Sequence, residues 1–97
     1  MMAGYYSEIK EANEEIKILA NEMKEKVENV LGETFLLFKP ILFTNKVISG
    51  TNYNIKIQVG ENNYIHIKVH VPLDIFNSPN EILECELNMN ITDPLIL

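Results

Sequence analysis

Apolar residues in the first third of the chain recur at spacings of three and four. The stripe consists of Ile16, Leu19, Ala20, Met23, Val27, Val30 and Leu31. This is the period of an α-helix with one buried face. Asn13 suits the N-cap, and Glu14 and Glu15 would meet the positive end of the helix dipole. With Gly32 suited to the position past the last turn, the pattern predicts one helix of about eighteen residues.

After the helix the apolar positions follow a period of two, which is typical of strands with one buried and one solvated face. Residues 35–48 predict one long strand, in which Pro40 requires an edge position or a bulge. Three further apolar sets predict three more strands, with a turn at residues 60–63: Tyr53, Ile55, Ile57, Val59; Ile65, Ile67, Val69, Val71; and Leu83, Cys85, Leu87, Met89. Solvent is expected for the intervening positions, including Asn54, Lys56, Gln58, His66 and His70.

The helix and strands predict an α+β fold, because elements with one apolar face each must pack helix against sheet. Residues 46–53 form the centre of this arrangement. Ser49 and Gly50 tolerate the backbone of a tight turn, whereas Val47 and Ile48 favour extended structure, so a hairpin is predicted here. The chain has 97 residues, enough for one hydrophobic core and too few for two. We therefore expect a single domain over residues 1–97.

Charge narrows the classes of partner. Eight Lys and Arg against fourteen Asp and Glu give a net charge of −6, which repels nucleic-acid phosphates and anionic membrane surfaces. Neither is an expected partner. Cys85 is the single cysteine, so no intrachain disulfide can form. The N-terminal residues do not resemble a signal peptide, and the apolar run at residues 35–43 is too short for a membrane span. A cytoplasmic protein is expected.

The candidates for catalysis are few. His66 and His70 share a strand face but would lie about 13 Å apart, too far for that pair alone to hold one metal ion. The alternation places Cys85 on the buried face, where a small apolar thiol is usual. Ser49 and Ser78 lie in turns without a nearby base. We therefore expect no catalytic residue, metal or cofactor.

Two motifs resemble the stefin branch of the cystatin superfamily. Residues 46–53, Lys-Val-Ile-Ser-Gly-Thr-Asn-Tyr, are similar to the family's Gln-Xaa-Val-Xaa-Gly hairpin followed by Thr-Asn-Tyr. Residues 64–69, Tyr-Ile-His-Ile-Lys-Val, match its Tyr-Xaa-His-Xaa-Lys-Val run. Gly4 matches a glycine near the family's N-terminus. The resemblance covers nearly the whole length, best over residues 45–69 and least after Val71.

The resemblance implies a cystatin-like fold, an antiparallel sheet of four to five strands wrapped around one long helix. It also implies a reversible, tight-binding inhibitor of papain-like, cathepsin-type cysteine proteases, monomeric and with a capacity for domain-swapped dimers. The inhibitor would occlude the protease cleft with a wedge made of an arm and two loops. The implied protease-binding residues are Met2, Ala3 and Gly4 in the arm; Lys46, Val47, Ile48, Ser49 and Gly50 in the first loop; and Pro72 and Leu73 in the second.

Two departures from the family pattern keep alternatives open. Lys46 replaces the family's Gln and Ile48 its Val, and residues 71–80 are longer than expected of a stefin, so that either Pro72-Leu73 or Ser78-Pro79 could form the second loop. Ile48 is a conservative change, whereas Lys46 and the longer segment favour the main alternative, a non-inhibitory protein-binding module on the same fold. A hot-dog-type enzyme would need a polar catalytic residue on the buried face of the helix, and the apolar stripe offers none.

Overall fold

The computed structural model of the protein describes residues 5–73 and 77–95, which form a five-stranded antiparallel sheet and one helix. In chain order the elements are β1 (Lys10–Glu11), α1 (Glu14–Leu31), β2 (Lys39–Ile48), β3 (Gly50–Gly60), β4 (Asn63–Val71) and β5 (Glu81–Met89). The strands lie side by side in chain order, and α1 packs against β2 and β5. The predicted α+β fold is confirmed.

Helix α1 begins and ends where the sequence predicts. Asn13 has an extended backbone, and its side-chain oxygen accepts a hydrogen bond from Ile16 N at 2.9 Å. Gly32 is left-handed, at φ 68°, and donates to Glu28 O. Five residues of the apolar stripe are buried, and Leu31 in the last turn is partly buried and packs on the core. Val30 is the exception, since it is 63% exposed.

Strand β2 begins at Lys39, so the prediction of a strand from residue 35 is wrong. The Phe35 N–H donates to the Glu28 carboxylate at 2.8 Å, which ties the connecting segment to the helix instead of to a strand. This hydrogen bond, followed by the charge of Lys24, holds the pKa of Glu28 below its usual value against the effect of burial. An edge position or a bulge was predicted at Pro40, and the register of β2 does shift between Pro40 and Leu42.

Three residues predicted in solvent lie buried on the outer face of the sheet: Asn54, Lys56 and His66. The cause is the segment 90–95, which lies against this face. The ammonium of Lys56, only 1% exposed, donates to the carbonyls of Asn90 at 2.7 Å, Ile91 at 2.9 Å and Asp93 at 2.9 Å. Leu95 is buried in the same region. Alternation marked the two faces correctly, but the expectation that the polar face is open to water is wrong.

A second correction concerns β5. Lys68 pairs with Glu84 and Val69 with Ile82, which leaves Leu83 as an unpaired extra residue. On the N-terminal side of this bulge the alternation is the reverse of the predicted one. Ile82 therefore packs on the core, and Leu83 is exposed. Cys85 packs on the core as predicted, and burial raises the pKa of its thiol. Within residues 5–73 and 77–95, no helix is long and apolar enough to cross a bilayer.

Candidate functional site

The hairpin between β2 and β3 forms a narrow, apolar edge at one end of the sheet. Val47 pairs with Thr51 and Ile48 with Gly50, so the strands stay paired up to Ser49 at the tip. The predicted hairpin is confirmed, with Gly50 already in β3. Val47 is 53% and Ile48 43% exposed. Exposed apolar side chains on a backbone held by its own hydrogen bonds can bind a surface with little loss of conformational entropy.

Gly50 connects this hairpin to the end of β4. Its φ is 94°, a conformation that favours glycine. A Cβ built on Gly50 would overlap Val71 O and would lie 2.9 Å from Pro72 Cα. Gly50 is buried, unlike its neighbours Ile48 and Ser49. Its role in the free protein is therefore to let the first loop lie directly against the backbone of Val71 and Pro72.

The segment after β4 lies at the same end of the sheet. Thr51 pairs with Val71, and Pro72 contacts the Gly50 region, so Leu73 follows directly beyond the hairpin. Leu73 is exposed, which adds a third apolar side chain to this end. Residues 74–76 lie outside the described residues. We call Val47, Ile48 and Leu73 the apolar edge.

His70 braces the backbone under the apolar edge. It pairs with Asn52 across β4 and β3, and its Nδ1 lies 2.6 Å from the Asn52 side-chain oxygen. Because an amide oxygen only accepts hydrogen bonds, the imidazole Nδ1 carries the proton and donates. The prediction of a solvated surface histidine is therefore wrong: His70 is half-buried and fixes the two strands that carry Gly50 and Pro72.

The described part of the N-terminal arm is attached by hydrogen bonds along β2, on the side away from β3. Ser7 N donates to Asn45 O at 2.7 Å, and Asn45 N donates to Ser7 Oγ at 3.1 Å. The hydroxyl of the buried Thr44 donates to Ser7 O. Further along, Ala12 N donates to Ile41 O. The arm therefore approaches the apolar edge in an antiparallel direction; Met2, Ala3 and Gly4, predicted to bind, lie outside the described residues.

Lys46 joins the arm to the hairpin. Its ammonium lies over the ring of Tyr6, 5.3 Å from the centroid. Lys46 is half-buried, whereas Tyr5 is 70% exposed. Sequence reasoning missed both Tyr6 and Ser7 as members of this site. Thr44 is a polar residue inside an apolar strand, which indicates that it needs a hydrogen-bond partner. Nothing in the sequence identified Ser7 as that partner.

The described residues contain no arrangement suited to catalysis. Burial, and then the charge of Lys56, lower the pKa of His66 to about 4, against the opposing effect of Asp93. His66 borders a cavity of about 230 Å³ on the outer face, beside Asn54 and Leu95. Its Nε2 is buried without a partner in the described part of the chain. In that part, no three His, Cys, Asp or Glu side chains are placed to hold a metal ion. The apolar edge itself consists of Val, Ile and Leu side chains, which carry no titratable or nucleophilic group.

Comparison with known proteins gives a consistent result. A model of the cystatin domain matches residues 4–92. Leukocyte cysteine proteinase inhibitor 1 of Sus scrofa is 35% identical over 95 residues, which cover 98% of this chain and 92% of the relative. Cystatin-A of Felis catus is 44% identical over 78 residues, or 80% of each chain. Stefin-C of Bos taurus is 33% identical over 85 residues, covering 88% of this chain and 84% of the relative.

Proposed function

The chain belongs to the cystatin family, in its stefin branch, and from this membership we propose that it is a reversible, tight-binding inhibitor of papain-like cysteine proteases of the cathepsin type. A relative with 35% identity carries cysteine proteinase inhibition in its name, and the chain spans nearly all of that relative. The fold also supplies a surface of the form that such an inhibitor needs.

The apolar edge is the observation that supports this proposal most strongly. Val47 and Ile48 are exposed at the tip of a paired hairpin, and enzyme clefts are concave and lined largely by apolar side chains. Fully burying a Val or Ile side chain contributes about 1.5–3 kcal/mol, and about half of each side chain is still exposed in the free protein. Because the hairpin is braced before binding, little of this free energy is lost to ordering the loop.

The mechanism we propose is occlusion of the cleft. The hairpin tip enters the cleft and covers the reactive thiol without presenting a correctly placed peptide bond for attack. Pro72 and Leu73 contact the cleft on one side of the tip. On the other side Met2 and Ala3 occupy substrate-binding pockets, and Gly4 lets the backbone turn away from the nucleophile. The inhibitor needs no catalytic group of its own, so we propose that the protein is not an enzyme.

The test is a measurement of the inhibition constant against papain and several cathepsin-type proteases. We expect competitive, reversible inhibition with complete recovery of protease activity after dilution. A serine protease such as trypsin serves as the control, and its activity should remain unchanged. Absence of papain inhibition at micromolar concentrations of the folded protein would contradict the proposal.

The alternative function is a non-inhibitory binding module on the same fold. The observation that favours it is Lys46, which replaces an amide side chain of the family motif with a cation. The two functions differ in one measurement, because a binding module leaves papain active at every concentration tested. If the parent does not inhibit papain, Lys46→Gln tests whether Lys46 is the cause. Inhibition by this variant but not by the parent would show that Lys46 prevents inhibition.

A further inference from the structure

We infer that Lys46 is a positioning residue for the N-terminal arm, acting through its cation–π contact with Tyr6. The inference rests on the proposed function for its effect on proteases, but the contact itself is a property of the free protein. It gives a role to the residue at which this chain departs most clearly from the family motif.

The first step is the attachment of Ser7. Its backbone N–H, carbonyl and hydroxyl all bond to β2, through Thr44 and Asn45. Thr44 is fully buried, so one end of this attachment lies at a position that solvent does not reach. The backbone position of Ser7 is thereby set before any partner binds.

The second step is the geometry beyond Ser7. Tyr6 precedes Ser7, and Lys46 follows Asn45, so the antiparallel arrangement makes these two side chains neighbours. The Lys46 ammonium lies 5.3 Å from the Tyr6 ring centroid, inside the range of about 6 Å for a cation–π interaction.

The third step is the consequence for the arm. Tyr5 is largely exposed, and the residues proposed to enter the cleft precede it. The contact between Lys46 and Tyr6 therefore fixes the direction in which the arm leaves the sheet. A chain already held in its bound direction loses less entropy on binding, and loss of arm contacts acts mainly on the dissociation rate.

Glutamine cannot replace Lys46 in this role. Its side chain is neutral, so it has no attraction to the negative face of an aromatic ring comparable with that of an ammonium. Arginine can replace it, because a guanidinium stacks on aromatic rings. The pair Lys46→Gln and Lys46→Arg therefore separates a requirement for the cation from a requirement for lysine itself.

A double-mutant cycle tests the inference on papain dissociation rates, with Lys46→Gln, Tyr6→Leu and the double variant. We expect Lys46→Gln to accelerate dissociation two- to fivefold more in the parent than in the Tyr6→Leu background, a ratio that corresponds to about 0.5–1 kcal/mol. The difference between backgrounds cancels any direct contact of residue 46 with the protease. Lys46→Arg should dissociate like the parent. Equal effects of Lys46→Gln in both backgrounds would overturn the inference.

A second measurement uses the free protein and so separates this inference from the proposed function. The side-chain protons nearest the Lys46 ammonium should resonate upfield in the NMR spectrum because of the Tyr6 ring current, and this shift should disappear in Tyr6→Leu. Lys46→Gln should lower the backbone order parameters of Tyr5 and Tyr6. If papain is not inhibited but both changes occur, Lys46 does position Tyr6 and the proposed function fails. Unchanged order parameters in Lys46→Gln would show that Lys46 does not position the arm.

Discussion

The two surfaces of the sheet that carry the informative residues are opposite in character. At the hairpin end, Val47 and Ile48 are apolar and exposed. On the outer face, Lys56 and His66 are polar and buried. The first arrangement leaves apolar surface in water that a partner can cover. In the second arrangement a segment of the same chain covers the polar groups. The interactions between them therefore stabilise the fold.

The comparison separates binding from stability. Side chains of the apolar edge contact little of the core, so changing them should alter affinity and leave the free energy of unfolding unchanged. Residues under segment 90–95 lie on another face, so changing them should do the reverse. The four predictions below test this division in order of expected effect.

The largest effect is expected for Lys56→Met, on stability. The Lys56 ammonium donates to three backbone carbonyls, and methionine fills similar volume without a donor. Hydrogen bonds to a charged group contribute about 1.5–3 kcal/mol each, and solvent that reaches the exposed Asn90 and Ile91 offsets part of the loss. We expect a loss of about 4 kcal/mol in the free energy of unfolding measured with urea.

Lys68→Met is the matched control for Lys56→Met. Lys68 is on the neighbouring strand and pairs with the exposed Glu84 at 3.3 Å, an interaction that contributes at most about 1 kcal/mol. Both variants should inhibit papain like the parent. Equal stability losses for the two variants, or weaker inhibition by Lys56→Met, would contradict the division.

The second prediction is a pH dependence of stability caused by His66. Its pKa is about 4 in the folded protein against 6.5 for a solvated histidine. Between these values the unfolded chain binds the proton and the folded protein does not, so stability falls as the pH is lowered from 6.5 toward 4. The contribution lost is about 3 kcal/mol. Urea unfolding between pH 7 and pH 4 measures it.

Substitution of His66 separates this effect from carboxylate titration. His66→Gln should reduce the slope of stability against pH between 6.5 and 4. If His66→Gln has the parent's slope, His66 is not the residue that resists protonation.

The sequence predicted the hairpin end better than the outer face, for a physical reason. The turn at Ser49 and Gly50 depends on local backbone preferences. The apolar side chains beside it are exposed, so their position does not depend on contacts with distant residues. The burial of Lys56 depends on residues 90–93, more than thirty positions away, and alternation contains no record of such a contact. The bulge at Leu83 was likewise invisible, since register is set by the partner strand.

The third prediction concerns Gly50. The sequence predicted that this glycine lies at the exposed tip of the loop, whereas the structure shows it buried against Val71 and Pro72. Gly50→Ala introduces a Cβ that overlaps Val71 O and approaches Pro72, at a φ that alanine disfavours. The two loops must separate to accept it. Strain of this kind costs about 1–3 kcal/mol, so we expect the papain inhibition constant to rise about thirtyfold.

Gly32→Ala is the control for Gly50→Ala. Gly32 also has a positive φ, of 68°, but a Cβ there meets nothing within 4 Å. It should lower stability through the backbone conformation alone and leave inhibition unchanged. Equal inhibition by Gly50→Ala and the parent would show that closure of the first loop onto Pro72 is not needed for binding.

The smallest effect is expected for Val47→Ser, and it tests the division most directly. Val47 is exposed in the free protein, so the substitution should change the free energy of unfolding by no more than about 0.5 kcal/mol. The complex that we propose buries this valine, so losing it should cost about 1.4 kcal/mol, or tenfold in the inhibition constant. Leu36→Ser is the control, because Leu36 is fully exposed but precedes β2 at the strand end opposite the hairpin. If both serine variants inhibit like the parent, the apolar edge does not contact the protease; if both inhibit more weakly, exposed apolar surface acts without regard to position.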